Sequence, residues 1–283
     1  MAIKFKALSY IYNKDMPYAH KALDHIDLEI TEGVITAIIG ETGSGKSTLV
    51  EHLNALLLPS EGSLEILDYE LAADKKVRFL KPLRKDVGLV FQFSEYQLFE
   101  ETILKDVTFG PLNFGYSPEE ATQRAKDALA LLNIPEELYE ESPLEISGGQ
   151  KRRVAIAGII ACDPKIIVLD EPTAGLDPKG AKQLIELFID MNKKLHKTII
   201  LVTHDNEMVY NYADETVLLH QGKVVYHGPT LKLFNDKKMT EEYRLLEPQI
   251  VTFRNMLIEK GFKLTDEART LGKLAEEIRK QLK

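Results

Sequence analysis

Gly40-Glu-Thr-Gly-Ser-Gly-Lys-Ser-Thr48 is the stretch on which the fold turns. It fits G-x-x-x-x-G-K-[ST] and lies between an apolar run (Val34, Ile35, Ala37, Ile38, Ile39) and a helical stretch starting near Ser47. Strand, glycine-rich loop and helix, in that order, make an anion cradle. Glycines let successive N–H groups turn inward around phosphate oxygens, and the helix N-terminus adds a favourable dipole. Lys46 is then expected to bridge the β- and γ-phosphates, and the Ser47 hydroxyl to reach Mg²⁺. Gly40, Glu41, Thr42, Gly43, Ser44, Gly45 and Thr48 supply the rest of the cradle. The ligand implied is a nucleoside triphosphate.

Upstream, residues 3–12 and 22–30 alternate apolar and polar positions and read as two strands separated by a polar loop. Downstream, Leu49, Leu53, Leu56 and Leu57 predict a helix ending at Pro59. A strand over 87–91 ends at Gln92. Residues 94–160 change character and read as helix-rich, with turn signals at Gly115, Pro118 and Pro143. The runs 166–169 and 198–202 are apolar throughout, as in a parallel sheet covered on both faces. TVLLHQGKVVYHG (216–228) reads as a hairpin turning at Gln221 and Gly222. The chain is thus one α/β nucleotide-binding core (1–93 and 161–230) interrupted by a helical insert (94–160).

Residues 231–283 form a small helical extension. Ile250, Phe253 and Leu257 follow helical spacing, with Gly261 as a stop. Thr265, Asp266 and Glu267 predict an N-cap and acidic first turn for a second helix striped by Leu271, Leu274, Ile278 and Leu282. A tail covering the core and a true interaction surface fit this pattern equally.

A chain of 283 residues can bury a large core. The net charge of −8 argues against a broad nucleic-acid footprint, which needs a basic face. Lys151, Arg152 and Arg153 read as a solvated helix face. One cysteine, Cys162, excludes an intrachain disulfide, fits a reducing compartment and reads as a buried, inert thiol. No apolar run approaches the ~20 residues that span a bilayer, and MAIKFKALSY lacks a signal-peptide layout. The expected location is the cytosol, unless a partner recruits the chain elsewhere.

A second constellation names a reaction. The run at 166–169 delivers Asp170 and Glu171 to a strand's C-terminal end, where α/β folds bind ligands. Asp170 can hold Mg²⁺ through its water shell. Glu171 is the better candidate to orient an attacking water, because adjacent residues leave a strand on opposite sides. Ser147, Gly148, Gly149 and Gln150 open a helix and offer a second cluster of free N–H groups. Gln92 stands at a strand end, where an amide can sense metal or water. His204 follows TIILVT, so its ring should face the same edge. His20, His25, His52, His196, His220 and His227 have no such address and receive no role.

GETGSGKST, SGGQ, VLDEPTAGLD and THD, in this order over roughly residues 1–230, resemble the ATP-binding cassette (ABC) family. Ile146 stands where that family usually carries Leu. The resemblance implies a P-loop NTPase (RecA-like) ABC ATPase core with a β-subdomain and an inserted helical subdomain. It implies two cassettes closing head-to-tail around two ATP molecules, each lying between one phosphate loop and the opposing SGGQ. Asp177 would be the D-loop residue communicating across that interface. Tyr12 matches the aromatic that stacks on adenine, with Tyr18 as the alternative. Gln92 would lie in the loop that senses the membrane subunit. FQFSEYQLFEETILKDVTFGPLNFG, Thr42 and the C-terminal extension resemble the second (A′-type) ATPase of energy-coupling factor (ECF) transporters. That resemblance implies a heterodimer of ATPases, with a homodimer open. It also implies a transmembrane T component, a substrate-binding S component, and a peripheral place on the cytoplasmic side of the cell membrane. The C-terminal helices would join the ATPase contact. Another ABC importer, a soluble ABC-type factor and a binding-only switch are the rival readings.

Overall fold

The computed structural model describes residues 2–75 and 79–281. Ten strands occur among them: β1 (Ile3–Tyr12), β2 (His20–Ile30), β3 (Ile35–Gly40), β4 (Glu61–Ile66), β5 (Tyr69–Ala72), β6 (Val87–Val90), β7 (Ile166–Asp170), β8 (Thr198–Val202), β9 (Glu215–His220) and β10 (Lys223–Pro229). They form two sheets. One is antiparallel, in the order β2-β1-β4-β5. The other runs β10-β9-β3-β8-β7-β6 and is parallel except for the β9–β10 hairpin.

The six-stranded sheet explains its own apolar runs. Ile35, Ala37, Ile39, Ile167, Leu169, Ile199 and Leu201 enter one hydrophobic cluster, shared with the helices. Their neighbours Ile38, Ile166, Val168, Ile200 and Val202 enter the other, shared with the antiparallel sheet. Successive side chains leave a strand on opposite faces, so a sheet covered twice must be apolar at every position. Each such residue fully buried contributes roughly 2 kcal/mol of transfer free energy.

The helices are α1 (Lys46–Leu53), α2 (Lys81–Asp86), α3 (Ile103–Asn113), α4 (Pro118–Leu131), α5 (Gly148–Ile160), α6 (Pro178–Leu195), α7 (Asn206–Tyr212), α8 (Thr230–Asn235), α9 (Lys237–Glu242), α10 (Gln249–Glu259) and α11 (Leu271–Gln281). Between α3 and α4 the turn falls where Gly115 and Pro118 predict it, and the Ser117 hydroxyl caps α4 by accepting from the Glu120 N–H. Gln221 and Gly222 both have positive φ (49° and 75°), the geometry of a tight two-residue hairpin.

Several expectations change. Helix α1 stops at Leu53, well before Pro59. Ala55 turns left-handed (φ 51°), and the Leu56 N–H reaches back to the Glu51 carbonyl, a C-terminal lock that a helical leucine count does not reveal. The sixth strand ends at Val90, one residue early. Thr265 does not cap α11; its N–H and hydroxyl both donate to the Glu277 carboxylate. The cap falls to Thr270, whose hydroxyl accepts from the Lys273 N–H, because the helix starts later. Helix α10 buries Ile250, Val251 and Arg254, whereas Phe253 stays exposed. An arginine belongs to that inward face because Asp266 and Asn235 pair with its guanidinium. On α11, Leu274 is buried and Leu271 exposed; Leu282 lies outside the described residues.

Candidate active site

The cradle is built as its residue types require. Lys46 opens α1, and Gly45 in front of it has φ 104°, a conformation that suits glycine. A Cβ there would stand 2.7 Å from the Ala22 carbonyl oxygen, so the close approach to β2 also needs a bare backbone. The Lys46 ammonium donates to the Gly40 and Glu41 carbonyls at 2.7 and 2.8 Å, holding the loop closed on itself. Burial pulls its pKa down, while Glu171 and Asp170 oppose that shift.

Four adjacent parallel strands, β3, β8, β7 and β6, deliver the chemistry from their C-terminal ends. One cavity of about 450 Å³ is lined by Tyr12, His20, Ala22, Thr42, Gly43, Gly45, Lys46, Ser47, Thr48, Gln92, Asp170, Glu171 and His204. Tyr12 is fixed at its rim: its hydroxyl lies 3.2 Å from Thr48 Oγ1 and its ring meets Tyr10 edge-on at 4.8 Å. Tyr18 does not line the cavity and is exposed.

The two acids differ in environment. Asp170, the last residue of β7, is raised to about 6, first by burial, then by Glu171, against the pull of Lys46. Glu171 leaves the strand with φ 47°, left-handed and strained for a side-chain-bearing residue. Its carboxylate is held on both oxygens. His204 Nδ1 lies 2.8 Å from Oε1, and the Thr203 hydroxyl donates to Oε2 at 3.3 Å. The His204 side chain is 83% exposed and that of Glu171 15%, so the ring stands on the open side of the carboxylate.

The donor set suits a hard cation. Ser47, Asp170 and Gln92 offer oxygens only. Among the described residues no group of three or more His, Cys, Asp or Glu could cage an ion alone. A cation here needs phosphate and water oxygens as well, which is how Mg²⁺ is ordinarily held.

Ser147, Gly149 and Asp177 lie elsewhere, in a second groove of about 410 Å³ together with Arg153, Gly175 and Gly180. Ser147 caps α5 in a reciprocal box. Its hydroxyl accepts from the Gln150 N–H, and the Ser147 N–H donates to Gln150 Oε1 at 2.9 Å. Ser147 and Gly148 are exposed, so the helix N-terminus points outward. Asp177 is also exposed; it caps α6 by accepting from the Lys179 and Gly180 N–H groups, which depress its pKa.

Three residues near this chemistry were not singled out by sequence reasoning. His20 lines the cavity. Thr203, first of the THD run, holds Glu171. The third is a correction: Arg152 is not on a solvated face but 2% exposed. It shares an i, i+4, i+8 stripe with buried Ile156 and Ile160, a spacing that could have revealed it. Cys162 is buried as expected, and burial raises its thiol to about 12.

A family model described as ABC transporter matches residues 23–174. Among curated relatives, the energy-coupling factor transporter ATP-binding protein EcfA2 of Enterococcus faecalis is 45% identical, covering 100% of this chain and 98% of its own. The EcfA2 of Streptococcus pyogenes serotype M5 is 47% identical, with 99% of each chain covered. Among solved structures, cbiO1 of Clostridium perfringens, described as part of the ABC transporter complex cbiONQ, superposes with a TM-score of 0.73. It is 35% identical, over 90% of this chain and 98% of that one. The cassette MJ0796, in a dimeric post-hydrolysis state bound to ADP and Pi, gives a TM-score of 0.72 at 32% identity, over 81% and 98%.

Proposed function

This chain belongs to the ABC transporter family, and we propose that within it the protein is the second, A′-type ATPase subunit of an ECF importer. Its hydrolysis of ATP drives uptake of a vitamin or other micronutrient. Full-length likeness to the EcfA2 proteins supports that reading. The observation that carries it is the single cavity joining Tyr12, the phosphate loop, Gln92, Asp170, Glu171 and His204, while Ser147 and Gly149 face out from a separate groove. A chain so arranged holds one nucleotide and offers a cap to another.

The partners required are a related second ATPase, a transmembrane T component and an exchangeable S component. Attachment to the membrane is peripheral and cytoplasmic, through those partners. Among the described residues no helix is long and apolar enough to cross a bilayer.

Each residue has a task. Tyr12 stacks on adenine. The amides of Gly43 to Thr48 take phosphate oxygens, and Lys46 exchanges its two carbonyl partners for the β- and γ-phosphates. Ser47, Gln92 and Asp170 would hold Mg²⁺, Asp170 through its water shell, and the ion would neutralise phosphate charge. Glu171 orients the attacking water, and His204 holds the γ-phosphate from the open side. Ser147 and Gly149 complete the opposing site, with Asp177 at the interface between subunits.

Such chemistry is mainly charge stabilisation, so one lost group costs about 10²–10³ in turnover. In the detergent-purified complex, Glu171→Gln should keep ATP affinity within about threefold while hydrolysis falls at least about 100-fold. Hydrolysis at the wild-type rate would refute the assignment. Co-purification of a second cassette and a polytopic subunit tests the ECF reading independently.

A further inference from the structure

Arg152 lies in the second turn of α5, five residues from Ser147 and roughly 8 Å along the helix axis. Its side chain turns inward, away from the Ser147 groove. Nη2 donates to the Glu171 carbonyl at 2.8 Å, and Nη1 donates to the Ala174 carbonyl. Those carbonyls mark the two ends of a tight turn that is also closed by the Ala174 N–H on the Glu171 oxygen. One planar guanidinium therefore bridges the turn that launches Glu171. A fork of fixed geometry suits that task, because its two terminal nitrogens serve separate carbonyls, whereas an ammonium must reach both from one nitrogen.

Two further observations bear on the role of this contact. Glu171 sits at φ 47°, a conformation that persists only where its surroundings over-determine it. The Glu95 carboxylate, in the short 3₁₀ segment following Gln92, favours the charged guanidinium against the burial that opposes it. Arg152 thus ties the helix that begins with the Ser147 cap to the Glu171 turn, while the charge of Glu95, from the segment after Gln92, favours its ionised form.

We propose that Arg152 is a positioning residue for ATP hydrolysis, a strut that sets Glu171 of its own site according to the seating of the helix that caps the opposing site. The inference rests on the water-orienting role proposed for Glu171. Seating α5 against a partner's nucleotide moves Arg152 and, with it, the Glu171 carbonyl. Binding at one site is thereby transmitted to the reacting geometry of the other within a single chain.

The test is a double-mutant cycle in the purified transporter complex, reading kcat and KM for ATP. Arg152→Ala should lower kcat at least tenfold and leave KM within about threefold, because the phosphate cradle is untouched. Arg152→Lys should fall between wild type and Arg152→Ala, because it keeps a cationic donor but loses the planar fork. In the Glu171→Gln background, adding Arg152→Ala should change the residual rate by less than twofold. Equal losses in both backgrounds, or a raised KM with kcat unchanged, would overturn the strut. If Arg152→Ala does not assemble, Arg152→Lys alone decides: the same loss in both backgrounds rejects the proposal. Wild-type turnover by Glu171→Gln alone would instead reject the role of Glu171, so the two failures are distinguishable.

Discussion

The cavity at the phosphate loop and the groove at Ser147 are built on opposite plans. In the first, two charged groups already have partners within the chain: Lys46 on loop carbonyls, Glu171 on His204 and Thr203. In the second, a helix N-terminus faces out, its serine hydroxyl bonded to Gln150 of the same turn. The contrast separates binding from turnover. A cradle closed by its own hydrogen bonds can receive phosphate by exchanging partners, at little net cost. On the function proposed, an outward cap acts only when a partner is brought against it.

Substitutions that split the two regions test this division. The largest effect is expected from Ser147→Arg, which blocks the cap without touching the cradle. ATP affinity of the purified subunit should stay within about threefold, while turnover of the assembled complex falls by about 100-fold or more. Equal losses of binding and turnover would erase the distinction. Next, Gly45→Ala strikes the cradle alone: positive φ and a backbone oxygen 2.7 Å from the new methyl should destabilise the chain by about 2–3 kcal/mol. Nucleotide binding measured by calorimetry should weaken with it, and a neutral result would mean the loop is looser than its contacts indicate.

The smallest effect should appear in Asp170→Asn, without nucleotide or Mg²⁺. The wild-type carboxyl is raised to about 6 in the fold from an unfolded value of 3.8, so the folded state holds a proton that the unfolded state releases between those values. Wild-type stability therefore falls as pH climbs through that window, and stays reduced above about 6. Asparagine lacks this penalty. After allowance for solvent screening, denaturant titration should find the variant about 1–2 kcal/mol more stable at pH 8 and no more stable at pH 4. A gain independent of pH would assign the effect to packing.

Legibility in the sequence followed the range of the forces involved. The phosphate loop was readable because its geometry is made by neighbours in the chain: three glycines, one lysine and a helix start. The doubly apolar runs at 166–169 and 198–202 were readable because burial on both faces leaves no polar position. SGGQ was readable as a helix opening, and the capping box shows the same local logic. Where distant groups decided the outcome, prediction faltered. Arg152 reads as a solvent-facing charge until the carbonyls of Glu171 and Ala174 are placed beside it. Arg254 took an inward position because Asp266 and Asn235 arrive from other segments. The false cap at Thr265 arose because Glu277, twelve residues on, outbid the local turn for its N–H.

By itself, then, the chain's order of residues pointed to the ligand class, to the cradle proposed for it and to the strands that aim Asp170, Glu171 and His204 at one edge. Only the tertiary structure decided that Glu171 is strained and braced, that Tyr12 and not Tyr18 lines the cavity, and that the Ser147 cap faces away from its own chain's cradle. The physical reason is reach. Hydrophobic period and turn chemistry act over a few residues and are written in order, whereas a buried hydrogen-bonding group takes its partners from wherever the fold brings them.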